Sequence, residues 1–290
     1  MPEHRDAPPA IELKGHAVVL GGGMAGMLAA GVLADYFELV MIIERRITDS
    51  VGTAAATPAS DRSTIPAVPA QILCKATQWQ LERLFPGLSA ELSADDAAPG
   101  LRTRLQFSQW SVEHHLVRRL TGVDNVVSLV GCDAAGLIRD GERCVGARVL
   151  PRTRSAAVRT VPAELVVDAM GAGSRMCLWL ADTWDTHVPI ERLSAGQLAE
   201  PADTFARTPY LRRRFDHAER LPGGVIALGG SLCSLGSRWG QSLNLALYHT
   251  DTLQRLLREE TPNGSGYQLT PAAATLLRGS DAPSGVTTRG

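Results

Sequence analysis

The chain lacks any strong excess of charge. Lys plus Arg number 29 against 30 Asp plus Glu over 290 residues, a formal net charge of −1, so no overall field draws the protein to nucleic acid or to anionic lipid. It also lacks an apolar run of the roughly 18 residues that a membrane span needs, and the opening "MPEHRDAPPAIELKG" has neither the basic segment nor the apolar core of a signal peptide. The five cysteines (Cys74, Cys132, Cys144, Cys177, Cys233) form no C-x-x-C, and their spacing fits neither a zinc site nor a disulfide framework. They read as reduced thiols, mostly in the core. The expectation is a cytoplasmic protein whose partner is a small apolar metabolite, with no nucleic acid and no membrane, and with a homodimer left open. The one local concentration of charge, Arg212-Arg213-Arg214, reads as a solvated helix face or a few surface ion pairs.

With 44% hydrophobic residues the chain can bury a large core. Residues 1–12 and 262–290 are rich in Pro, Gly, Ser and Thr and are expected to be flexible tails, leaving 13–261 as a single α/β domain. "HAVVLGGG", "MAGMLAAGVLADYF" and "ELVMIIE" read as strand, helix and strand, a βαβ unit. "WQLERLF" and "QWSVEHHLVRRL" carry apolar residues at helical spacing, with Val112, Leu116 and Leu120 on one face. "VVSLV", "AAGLIRD", "ERCVGARVL" and "AAVRTV", with a turn at Asp140-Gly141, are expected to form an antiparallel meander. "AELVVDAMG" and "GGVIALGG" read as buried strands. A final helix, "GQSLNLALYHTDTLQRLLREE", turns Leu243, Leu247, Leu253 and Leu257 inward.

Gly21, Gly23 and Gly26 form G-x-G-x-x-G after the first strand and at the start of the first helix, and Glu44 ends the next strand. Each part has a physical task. The first glycine permits a tight turn, the second lets a pyrophosphate approach the helix N-terminus, and the third allows the helix to pack closely on the strand. The carboxylate accepts from ribose hydroxyls and repels a 2′-phosphate, which disfavours NADP. The plain alternative is a glycine-rich turn that serves packing alone.

"VVLGGGMAGMLAA…IIERR", "LERLFPGL", "LVVDAMGAGSRMCLWL" and "LPGGVIALGGSLCSLGSRWGQS", in that order, resemble the FAD-dependent aromatic hydroxylase-like flavoproteins of actinobacterial secondary metabolism. The similarity spans most of residues 16–258. It implies a Rossmann-like FAD-binding domain of the glutathione-reductase type with a β-meander crossover. Gly21, Gly23, Gly26, Glu44 and Asp168 would be its cofactor-binding residues. It also implies a sheet domain over the substrate, which is largely deleted here, with 181–221 as its shortened remnant.

The departures from the family pattern shape the functional expectation. Gly229-Gly230 stands where the family has Gly-Asp, so a carboxylate acceptor for the flavin's ribitol chain is missing. Gly240-Gln241-Ser242 replaces Gly-Gln-Gly, Ser108-Gln109 replaces Ser-Arg, and Ala172 follows Gly171 where a basic residue is frequent. The favoured reading is a pseudo-flavoenzyme with no redox-active cofactor and FAD at most a structural ligand. It would act as a cyclase resembling the flavoprotein-like [4+2] cyclases of spirotetronate and polyether polyketide biosynthesis. Such a pocket holds a polyene or enone in a near-attack conformer and polarises a carbonyl. Gln109, Trp110, Ser237, Trp239 and Gln241 are the candidate catalytic residues, with Arg238 beside them. Each Trp has core packing as its alternative. His114-His115 offers an acid or base, although one of the pair must face away. Two further readings stand beside this one: an FAD-dependent oxidoreductase or monooxygenase, and an inactive scaffold or partner subunit. No metal site is expected.

Overall fold

The computed structural model describes residues 14–46, 71–72, 75–95, 106–107, 109–153, 156–192, 210–235 and 239–260. For 14, 71–72, 75–76, 94–95, 106–107, 109–110, 210, 235, 239–241 and 259–260 it describes the backbone alone. The two expected tails and Cys74 lie outside these residues.

The opening is the expected βαβ unit: β1 (Lys14–Leu20), α1 (Met24–Leu33) and β2 (Phe37–Glu44), with the two strands parallel. Then come β3 (Gln71–Ile72), α2 (Lys75–Leu84), α3 (Leu88–Asp95), β4 (Gln106–Phe107) and α4 (Gln109–Thr121). After α4 run β5 (Val126–Val130), β6 (Cys132–Asp140), β7 (Arg143–Pro151), β8 (Arg159–Pro162) and β9 (Leu165–Asp168). The chain ends in α5 (Met176–Trp184), β10 (Ile190–Arg192), β11 (Tyr210–Arg213), β12 (Val225–Ala227), β13 (Cys233–Leu235) and α6 (Trp239–Glu260).

Five strands form one parallel sheet in the order β12-β9-β1-β2-β5. Because side chains alternate across a strand, both faces must be covered. Ala17 and Val19 of β1, Val40 and Ile42 of β2, and Leu165 and Val167 of β9 enter a core built with α1, α2, α3, α4 and α6. Val18, Leu20, Ile43 and Val166 enter the opposite core, with the β6-β7-β8 meander and α5. Leu243, Leu247, Leu253 and Leu257 are all buried, as their helical spacing predicts.

"VVSLV" differs from expectation. It is β5, a parallel edge strand with Val126 opposite Val40, and it is not part of the meander. Asn125 sets it there: its side-chain amide donates to the carbonyls of Ala34 and Phe37 at 2.9 and 2.8 Å, while the Val40 N–H donates to the Asn125 carbonyl at 2.8 Å. The meander is β6, β7 and β8, antiparallel, with the expected turn between Asp140 and Arg143. "YLRR" also departs from expectation, because it is strand β11 between β10 and β13 and carries Arg213 into the interior. Arg214 matches the ion-pair reading, donating to Asp216 at 2.9 Å and Glu191 at 2.6 Å. Cys132, Cys144 and Cys177 are buried and Cys233 is partly so. Among the described residues no helix is long and apolar enough to cross a membrane, and no group of three metal-ligating side chains occurs.

Gly31 shows how closely α1 is packed. A Cβ there would lie 2.5 Å from the ring of buried Phe85. Gly31→Ala is expected to lower stability by about 1–3 kcal/mol, read as a lower urea midpoint at unchanged m-value.

Candidate functional site

All five strands of the main sheet deliver their carboxyl ends to one edge, and the chain reverses its direction of winding between β1 and β9. Clefts form at such a point. One of about 960 Å³ lies there, walled by Gly21–Ala25, Glu44–Arg46, Cys132–Ala135, Ala169–Gly173, Gly229-Gly230 and the face of α6 at Ser242, Leu243 and Ala246. Gly22 and Ala172 fall within these runs without lining the cleft.

Gly21 and Gly26 adopt the tight turn and the close packing that their spacing predicts. Gly21 has φ +103°, and a Cβ there would be 2.6 Å from the Ala169 carbonyl oxygen. A Cβ at Gly26 would collide with the Gly21 carbonyl oxygen. Nothing lies within 4 Å of the Cβ direction at Gly23, which is the N-cap of α1 and has no side-chain cap. The helix therefore presents uncapped backbone to open space. Glu44 lines the cleft beside it, with Oε2 accepting the Gly22 N–H at 2.7 Å and Oε1 accepting the Arg46 backbone N–H at 2.8 Å.

Asp168 is placed differently. It is fully buried behind the floor and accepts from the Met170 N–H at 3.1 Å, from the Ser231 hydroxyl at 2.9 Å and from the Ser174 hydroxyl. Burial pushes its carboxyl above the ordinary range, against the pull of these donors and of Arg213. It ties Ser174, after β9, to Ser231, after β12, and does not line the cleft.

The structure brings few of the other expected site residues into view. Ser237 and Arg238 lie outside the described residues. Gln109 and Trp110 begin α4, and Trp239 and Gln241 begin α6, as backbone positions only. On α4 the described residue that lines the cleft is Glu113. His115 instead packs toward α3, its Nδ1 3.2 Å from Glu91 Oε2, and Arg119 holds the Glu91 carboxyl below its usual range. His114 sits edge-on to His115 and does not line the cleft.

Several contributors were not expected at the site. Arg45 and Arg46 line the mouth next to Glu44, and Arg175 lines the side near Gly173. Asp133 faces Arg45 at 4.0 Å and Arg152 at 3.9 Å. Behind the floor, Arg213 and His249 are buried. Position after Glu44 was a signal for Arg45 and Arg46, and one helical turn after Gln109 was a signal for Glu113. Arg213 and His249 have none, because their partners are backbone atoms of distant segments.

No protein-family model matches the chain. It is 25% identical over 262 residues to Protein Rv3254 of Mycobacterium tuberculosis, an alignment covering 81% of this chain and 50% of that protein. The chain spans about half the length of this curated relative. Among solved structures it is similar to PqsL, a probable FAD-dependent monooxygenase from Pseudomonas aeruginosa (TM-score 0.54, 15% identity, 91% of this chain and 92% of that one). It is also similar to the p-nitrophenol 4-monooxygenase PnpA from Pseudomonas putida DLL-E4 (0.56, 13%, 87% and 82%). A third likeness is to the flavin-dependent brominase Bmp2 (0.54, 13%, 89% and 82%). The fold is therefore the α/β fold of FAD-dependent monooxygenases.

His249 gives the site a pH dependence. Its Nδ1 accepts the Gly229 N–H at 2.9 Å, its Nε2 is buried with no partner, and burial lowers its pKa to about 4. The folded protein thus resists a proton that the unfolded chain takes up near pH 6.5. The His249 contribution is complete above that value and falls by about 3 kcal/mol as pH drops to 4. Urea titrations across this range should show that loss, and His249→Gln should remove this part of the acid limb.

Proposed function

We propose that the chain is an FAD-dependent oxidoreductase of the monooxygenase type that acts on a small apolar metabolite. The observation that carries this is the cleft itself: a glycine turn, an uncapped helix N-terminus and a strand-end carboxylate meet at the point where the parallel sheet reverses its winding.

The residues present fit the ADP half of the cofactor. Gly23 leaves room for a pyrophosphate on the N-terminus of α1, and Glu44 stands at the end of β2 to accept from a ribose. Its carboxylate would release Arg46 or Gly22 to do so. Arg45, Arg46 and Arg175 set positive charge along the rim, where it favours a diphosphate. Ile43, Leu150, Met170, Leu243 and Ala246 supply apolar wall. FAD would supply, when bound, the redox chemistry. The residues of the chain bind and orient it and keep water from the apolar wall.

One observation favours the second reading, a non-redox cyclase that keeps FAD at most as structure. Gly230 provides no carboxylate, and a Cβ there would lie 3.1 Å from Gly171 Cα, so the place where an acidic side chain would start is narrow. A charge-assisted hydrogen bond of that kind contributes roughly 1.5–3 kcal/mol, or about ten- to a hundredfold in affinity.

Titration with ADP and with FAD, followed by desalting and an absorption spectrum, separates the readings. The proposal expects both ligands to compete for one site, FAD to be retained, and NAD(P)H to bleach its visible bands. Glu44→Ala should weaken ADP binding by about tenfold or more, the loss of a charged acceptor. Retention without bleaching would leave FAD as structure and support the cyclase. Failure of both ligands to bind would overturn the cofactor assignment.

A further inference from the structure

Two short segments, 171–174 after β9 and 229–231 after β12, form the floor of the cleft through Gly171, Gly173, Gly229 and Gly230. They come from strands that are themselves paired, yet the segments turn away from the sheet and need their own restraint. In a nucleotide-binding cleft a ligand can give that restraint by bridging the two. Here Arg213 of β11 reaches between them from behind. Its Nη1 donates to the Ser231 carbonyl at 2.9 Å and the Gly230 carbonyl at 3.4 Å. Its Nη2 donates to the Ala172 carbonyl at 2.7 Å and the Ser174 carbonyl at 3.2 Å. Only 4% of the residue is exposed, and Nε has no hydrogen-bond partner.

The geometry points to Arg213 as a positioning residue that fixes the spacing of the two floor segments from inside the protein, so that the cleft is preformed before any ligand enters. A guanidinium suits the task, since its planar fork offers paired donors to two acceptors on each side, whereas an ammonium is a single point. A charge buried this deeply is expensive unless it is paired and hydrogen-bonded, and Asp168 is the nearby opposite charge, acting on Arg213 electrostatically. Asp168 in turn ties the side chains of the same segments through Ser174 and Ser231, and the Gly171 N–H donates to the Ser231 hydroxyl at 2.8 Å. Carbonyls are held by the cation and hydroxyls by the anion. The floor's inward polar groups are thus committed to the brace, and the cleft side keeps bare glycine backbone at Gly171 and Gly173, where nothing lies within 4 Å of the Cβ direction.

Amide hydrogen exchange on the full chain without ligand tests this directly. In Arg213→Met the amides of Gly171, Ser174, Ser231 and Leu232 should exchange about tenfold faster or more, while those of β1 and β2 keep their wild-type rates, the signature of a local opening. The affinity for ADP, bound by the Gly21–Gly26 turn and Glu44, should change less than about twofold, and that for FAD, which must cross the floor, should fall about tenfold. Unchanged floor exchange would overturn the proposal. So would equal acceleration at every site, which marks a merely structural arginine. If Arg213→Met does not fold, Arg213→Lys carries the same comparison, with intermediate floor exchange expected and wild-type rates overturning it. The ligand comparison rests on the proposed FAD binding, but the exchange does not: loss of ADP and FAD binding in the wild type would remove that reading and leave the brace to be judged on exchange alone.

Discussion

The structure depends on one constraint, the shared direction of five strands. A parallel pair cannot be closed by a tight turn, so each strand must be followed by a crossover, and the crossovers cover both faces of the sheet. This is why β1, β2 and β9 each hold a continuous apolar stretch, Ala17–Leu20, Leu39–Ile43 and Leu165–Val167. The same constraint gathers every strand end at one edge. There the backbone must leave the sheet at once, and glycine makes that possible: Gly21 turns with φ +103° against Ala169, and Gly229 turns with φ +56° against Ala25. The cleft follows from these exits.

A cleft made by glycine turns has backbone as its surface. Its inner half offers amide dipoles and little side-chain chemistry, so recognition falls to groups at the ends of the strands and helices around it. Glu44 and the arginines at 45 and 46 give one end a defined character suited to a ribose and a diphosphate. The Gly229-Gly230 pair, by contrast, brings no side chain to the cleft. The contrast is between one strand that finishes in a carboxylate and another whose exit from the sheet leads to a pair of glycines.

What was legible in the sequence follows the range of each interaction. The βαβ unit, the inward face of α6 and the hairpin at Asp140 are local patterns, since spacing along the chain fixes which side chains share a face. The turn at Gly21, the close packing at Gly26 and the position of Glu44 at the end of β2 were legible for the same reason. β5 was misread because its place depends on Asn125 reaching Ala34 and Phe37, about ninety residues away in the chain, a pairing that no local pattern encodes. Arg213 was misread more deeply. Three successive arginines signal solvent on average, but strand alternation turns the middle one inward, where its partners are carbonyls, and a carbonyl has no residue identity to read.

That last point bears on how a position on the cleft wall can carry no side chain while the fold around it persists. A ligand that bridges two loops stabilises them only while it is bound, and loops that depended on it would open once a contact was removed. Here the 171–174 and 229–231 segments are joined by Asp168, Ser231 and Arg213 and tied to α6 through His249, buried residues none of which lines the cleft. The spacing of the floor is set by the protein interior, and what the cleft holds is set by the residues on its surface. The two properties reside in different atoms, so Gly230 can lack a carboxylate without loosening the sheet edge, and changes on the cleft side can alter ligand affinity with the architecture left in place.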